Sequence, residues 1–210
     1  MVYKRITGGA LSENCYVLYD ETTKEAAVVD PGFVNDKLLA AIEPLTVRYI
    51  LLTHGHFDHI EGADALREQT GADVLLFHKE KALAENSALN ASLSMFGVPI
   101  TCTADRLLED GAEFTVGSIP VRVLHTPGHT AGGCCYVTPD AVFTGDTLMG
   151  YSVGRTDLPT GDEAQLLASL KKLGDLPGDP AICGGHGLVT TLSAEKRRNP
   201  YLRYLSQTQK

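Results

Sequence analysis

Three histidines and an aspartate crowd into six residues, His54-Gly55-His56-Phe57-Asp58-His59. Imidazole nitrogens and carboxylate oxygens are the ordinary protein ligands of zinc and related first-row metals. An apolar run over residues 47–53 ends directly before this segment. His54 and His56 then lie two apart in extended chain, so both imidazoles leave the same face and can chelate one cation. Asp58 and His59 follow as the chain turns towards a helical pattern over 62–69, which aims them at a neighbouring position. One hard oxygen and three borderline nitrogens suit Zn, with Fe or Mn as substitutes.

The elements that must position this loop are legible as alternating types. Short apolar, β-branched runs recur at 15–19, 26–30, 47–53, 74–77, 121–124, 134–137, 141–144 and 181–183, each bounded by Gly, Pro, Asp or Asn, and read as strands. Helical periodicity falls at 35–43, 62–69, 79–92, 163–173 and 193–205. Many strands with interspersed helices predict an α/β chain with two sheets or one large one. Glycines collect where strands stop beside Asp or His: Asp30-Pro31-Gly32, Thr126-Pro127-Gly128-His129, Thr144-Gly145-Asp146 and Cys183-Gly184-Gly185-His186. Such strand ends are where function-bearing loops lie.

Composition narrows the class. The 210 residues are 43% hydrophobic and 21% charged, with a formal net charge of −8. That suits one globular domain over 1–210, closing with a helix at about 193–205. The acidic balance disfavours a nucleic-acid or anionic-membrane surface. No apolar run approaches the roughly 18 residues of a membrane span, and the first residues lack a signal-peptide pattern, so a cytoplasmic protein is expected. Cys15, Cys102, Cys134, Cys135 and Cys183 form no C-x-x-C pair and are expected as reduced, small core residues. Cys134 and Cys135, adjacent in a strand, should face opposite ways.

With His129, Asp146 and His186 following the first motif in order, the sequence resembles the metallo-β-lactamase superfamily of binuclear metallohydrolases. The resemblance implies a four-layer αββα sandwich with the site at one edge between the sheets. It also implies two divalent ions, Zn foremost: the first held by His54, His56 and His129, the second by Asp58, His59 and His186, with Asp146 bridging them. His125 and His129 are four apart, but Pro127 and Gly128 exclude a helix between them. His125 is therefore read as packing or as supporting a ligand from behind. His78 has no motif around it and is expected at the surface or a pocket rim. Asp30 either makes a strand-ending turn or orients a ligand imidazole.

Two ions roughly 3.5–4 Å apart would bind a bridging water and lower its pKa to about 7, giving a hydroxide that attacks a polarised carbonyl. Asp58 would serve as ligand and as acceptor of the nucleophile's proton. A narrower resemblance, carried by Gly154-Arg155-Thr156-Asp157-Leu158-Pro159-Thr160-Gly161-Asp162 and Asn199-Pro200-Tyr201-Leu202-Arg203, is to the short bacterial type of the glyoxalase II-like (hydroxyacylglutathione hydrolase-like) branch. It implies hydrolysis of a small hydroxyacyl thioester such as lactoylglutathione, with Arg155 and Arg203 as substrate contacts. Asp157 and Leu188 stand where the larger enzymes carry tyrosines, and the basic helical tail is absent, which implies looser recognition of glutathione. The alternatives are a mononuclear iron persulfide dioxygenase, a lactonase or a nuclease of the same superfamily.

Overall fold

A computed structural model describes residues 2–207. One six-stranded sheet runs in spatial order through β1 (Val2–Gly8), β2 (Glu13–Tyr19), β3 (Glu25–Val29), β4 (Thr46–Leu52), β5 (Asp73–Phe77) and β6 (Arg106–Leu108). The second is built from β7 (Glu113–Val116), β8 (Ile119–His125), β9 (Cys134–Val137), β10 (Ala141–Gly145), β11 (Ala181–Gly184) and β12 (Thr190–Thr191), ordered from β12 back to β7. Both are mixed: β3, β4, β5 and β6 run parallel, as do β10 and β11, and the other neighbours are antiparallel.

Strand alternation divides the apolar residues among three interfaces. Along β2, Cys15 and Val17 face outward, where Leu38 and Ile42 of α1 (Asp36–Ile42) and Leu66 of α3 (Ala63–Thr70) cover the first sheet. Tyr16 and Leu18 face inward, onto Val121, Val123, Tyr136 and Phe143 of the second sheet. Cys134 joins that inner core, and Cys135 faces the far side with Val142 and Ile182. There Leu166, Leu170 and Leu173 of α6 (Glu163–Gly174), Leu192 of α7 (Leu192–Arg198) and Leu202 of α8 (Pro200–Gln207) close the fourth layer. The result is the αββα sandwich. All five cysteines are free and buried.

The remaining helices are short: α2 (Phe57–Ile60), α4 (Lys81–Ala84) and α5 (Ser92–Phe96). The expected helix over 79–92 is interrupted. Asn86 Oδ1 accepts from Ala88 N and Asn90 Oδ1 from Ser92 N, while Ala91 sits in the left-handed region at φ 71°. Asparagine side chains here capture backbone N–H groups that a helix would need. The expected helix over 193–205 is two helices, broken at Asn199-Pro200. Proline drives its predecessor out of the helical region, and Asn199 has φ −68° and ψ 122°. Strands β1, β6, β7 and β12 lie outside the apolar runs. All four are edge strands, whose half-exposed positions tolerate polar and charged residues.

Strands β3, β4, β10 and β11 all end at the same rim. Cys134 N donates to Thr53 O at 2.9 Å and Asn14 N to Gly185 O at 2.6 Å, so the two sheets are tied together there.

Candidate metal centre

Each candidate ligand leaves the end of a strand or the turn just past it. Strand β4 stops at Leu52, and Thr53 and His54 continue it in extended chain. His56 caps α2, whose single turn carries Asp58 and His59. His129 stands in the loop between β8 and β9, Asp146 directly after β10 and His186 two residues after β11. Close approach depends on Gly185, where a Cβ would lie 2.4 Å from Asp146 Oδ1 and 2.5 Å from His59 Cε1. Gly154 is equally constrained: a Cβ there would lie 2.7 Å from His129 Nδ1.

Hydrogen bonds turn the imidazoles. Asp30, in the left-handed region at φ 48°, accepts from Thr53 N at 2.7 Å and Thr53 Oγ1 at 2.6 Å, and lies 3.0 Å from His59 Nδ1. Thr53 Oγ1 is in turn 3.1 Å from His54 Nδ1. His129 Nδ1 donates to the Arg155 carbonyl at 2.7 Å. With Nδ1 engaged in this way, His54, His59 and His129 turn Nε2 towards the rim. Asp30 therefore shapes the strand end and holds the His59 imidazole through the same carboxylate.

The presented atoms converge. His56 Nδ1 lies 2.9 Å from His129 Nε2. His59 Nε2 is 3.5 Å from Asp58 Oδ2 and 3.5 Å from Asp146 Oδ1. His186 Nε2 is 3.2 Å from Asp58 Oδ2. Asp146 Oδ2 stands 3.7 Å from both His129 Nε2 and His186 Nε2, between the two groups. His54, His56 and His129 offer donor atoms within 4.8 Å of one another, as do Asp58, His59 and His186.

The two groups differ electrostatically. Burial, reinforced by neighbouring imidazoles, holds His54 well below the usual histidine pKa and His56 down to about 3, so both are neutral with lone pairs available. Burial opposes charge on His59 too, but Asp58, Asp146 and Asp30 outweigh it and raise its pKa to about 10. Asp58 stays below the ordinary carboxylate range despite burial, because His59 and a hydrogen bond from His186 favour its anion.

Buried His54 Nε2, His56 Nε2, His59 Nε2 and Asp146 Oδ1 have no hydrogen-bond partner. Leaving such atoms unsatisfied is costly, and native proteins seldom do so without a reason. Four orphaned atoms converging on one rim, all of ligand type, fit a metal centre. The cluster is able to hold metal ions.

Other candidates fall outside it. The Arg155 guanidinium is exposed and forms a two-point pair with Asp157, both contacts 2.6 Å; it is the Arg155 backbone carbonyl that touches His129. Arg203 is exposed on α8. His125 packs: its ring stacks on Phe77 at 4.4 Å and its Nε2 bonds the Ala131 carbonyl. His78 pairs with Glu109 at the surface. Sequence reading missed Glu80, Asn14 and Arg5. Asn14 Nδ2 donates to the Gly184 and Gly187 carbonyls and Arg5 to Gly187, bracing the His186 loop. These partners of Asn14 and Arg5 lie more than 160 residues away, and no local pattern marks them.

Residues 8–186 match the family described as the metallo-beta-lactamase superfamily. The chain belongs to that superfamily. Among its relatives, hydroxyacylglutathione hydrolase GloC of Haemophilus influenzae is 36% identical, with 92% of this chain and 94% of the relative covered. A crystal structure described as BLEG-1 B3 metallo-beta-lactamase superposes with a TM-score of 0.90 at 41% identity, covering 96% of this chain and 99% of that one. A structure of TTHA1623 in a di-iron-bound form superposes with a TM-score of 0.83 at 38% identity, covering 95% and 100%. The chain is thus similar both to a protein described as a hydroxyacylglutathione hydrolase and to one described as a metallo-beta-lactamase.

Proposed function

We propose that this metallohydrolase cleaves a small hydroxyacyl thioester of the lactoylglutathione type, using two divalent ions. The observation that carries the reading is the set of seven histidines and aspartates gathered at one rim, with buried donor atoms left unpaired. The likeness to GloC over nearly the whole chain supports the substrate class. On this reading His54, His56 and His129 hold one ion, Asp58, His59 and His186 the other, and Asp146 spans both. Zn is the first choice for this donor set, with Fe or Mn as substitutes; the likeness to a di-iron structure keeps iron in the comparison.

Divalent ions held there would supply Lewis-acid polarisation of the acyl carbonyl and acidify water to a pKa of about 7. The protein's own groups do the rest. Asp58, kept anionic by His59 and His186, is placed to take a proton from the attacking water. Asp30 holds His59, Thr53 holds His54, and the Arg155 carbonyl holds His129, so the ligands need no rearrangement when substrate arrives. A thiolate leaves without strong acid assistance, so this reading requires no further proton donor.

A second reading, β-lactam hydrolysis, is favoured by the 0.90 superposition on BLEG-1; an amide nitrogen leaving group needs protonation that a thiolate does not. The test is thiol release from lactoylglutathione by zinc-, iron- and manganese-loaded protein, run beside a chromogenic cephalosporin. Thiol release abolished by a chelator and restored by metal is expected. Cephalosporin turnover alone would replace the thioester reading, and oxygen uptake with iron alone would move the chain to dioxygenase chemistry.

A further inference from the structure

Glu80 ends a 3₁₀ turn (His78–Glu80) just past β5 and is 1% exposed. Its Oε2 accepts from Gly55 N at 2.8 Å and its Oε1 from Gly132 N at 2.6 Å. Gly55 stands between His54 and His56, and Gly132 three residues after His129. One carboxylate therefore grips the backbone of both loops that carry the three-histidine group. Packing around the carboxylate is close: a Cβ on Gly132 would lie 2.6 Å from Glu80 N, and one on Gly55 would lie 2.8 Å from Ala84 N, in the helix that follows Glu80. Across the gap that Glu80 spans, His56 Nδ1 and His129 Nε2 face each other at 2.9 Å.

We propose that Glu80 is a positioning residue that sets the distance between the His54–His56 loop and the His129 loop, and with it the cation affinity of the three-histidine group. Its carboxylate presents two acceptor oxygens on one planar head, one for each of the two amides. A Gln keeps the length but offers one amide N–H a nitrogen donor instead of an oxygen. An Asp keeps the charge but is one methylene too short to reach both. Among the described residues, the second ligand group, on α2 and the His186 loop, shows no hydrogen bond to Glu80, so its affinity should be independent. The inference rests on the cluster holding cations and makes no use of the thioester reading.

Zinc affinity, read by competition with a chromophoric chelator, tests this without any substrate. In a His186→Ala background the three-histidine group is isolated, and Glu80→Gln and Glu80→Asp should each weaken zinc about 10- to 100-fold, as loss of a ligand-orienting partner does elsewhere. In a His56→Ala background, which leaves the other group, the same substitutions should leave zinc affinity unchanged. Circular dichroism of the metal-free variants checks folding; if Glu80→Ala does not fold, the Gln and Asp variants carry the test. Equal weakening in both backgrounds would reduce Glu80 to a general stabiliser, and no weakening in the first would overturn the proposal.

Discussion

At His54, His59 and His129 the Nδ1 atom is engaged by an oxygen of the protein, which fixes each ring and turns its Nε2 towards the rim. The same bookkeeping of partners bears on Arg155. Its Nε and Nη2 are both bonded to Asp157, and the pair pulls the Asp157 carboxyl down to about 2. A guanidinium held in this way is preorganised as a fork, and its outward edge remains available to a substrate carboxylate. Arg155→Ala is expected to raise KM for lactoylglutathione severalfold while kcat and metal content stay unchanged, the mark of an interaction shared by ground and transition states. Steady-state kinetics with elemental analysis decides it. An unchanged KM would assign Arg155 to its partnership with Asp157 alone.

Among the elements, the turn between β7 and β8 is fastened to the end of β2 by Asp20, whose Oδ2 accepts from Ser118 N and Ser118 Oγ, both at 2.7 Å. Those bonds, with another from Thr22 N, hold the carboxyl well below its ordinary range. Its folded pKa is depressed, so the stabilisation is present above the unfolded value of about 3.9 and lost as pH falls through the folded one. Asp20→Asn should be less stable than the parent at pH 7, and the difference should shrink steadily below about pH 4. Urea melts across that range would show it. A difference that grew on acidification would contradict the assignment.

For the whole molecule, the orphaned donors at the rim imply that the metal-free protein carries a cost that cations remove. A ligand at a free concentration 100 times its dissociation constant stabilises the folded state by about 2.7 kcal/mol. For a chain of this size that corresponds to a rise in Tm of roughly 5–10 °C. Thermal melts after exhaustive chelation and after zinc addition measure this directly. The His186→Ala variant should retain a smaller rise, because one ligand group stays complete.

The sequence by itself determined the donor set of the rim and the class of the fold. His54, His56, Asp58 and His59 are neighbours along the chain, so their spacing alone brings their donors together. Strands β2, β3, β5 and β10 announce themselves as apolar runs because each packs on both faces. The edge strands β1, β6, β7 and β12 were not legible, since a strand with one free edge can carry Lys4, Arg5 or Arg106 at little cost. The helix over 79–92 was misread because a 3.6-residue rhythm does not show that Asn86 and Asn90 will bond the backbone themselves. Only the tertiary structure decided how the ligands are held. Glu80 meets Gly132, Asp30 meets His59, and Asn14 meets Gly184 across 52, 29 and 170 residues of chain. Contacts that distant are created when two sheets pack face to face, and no local pattern encodes the register in which they do so.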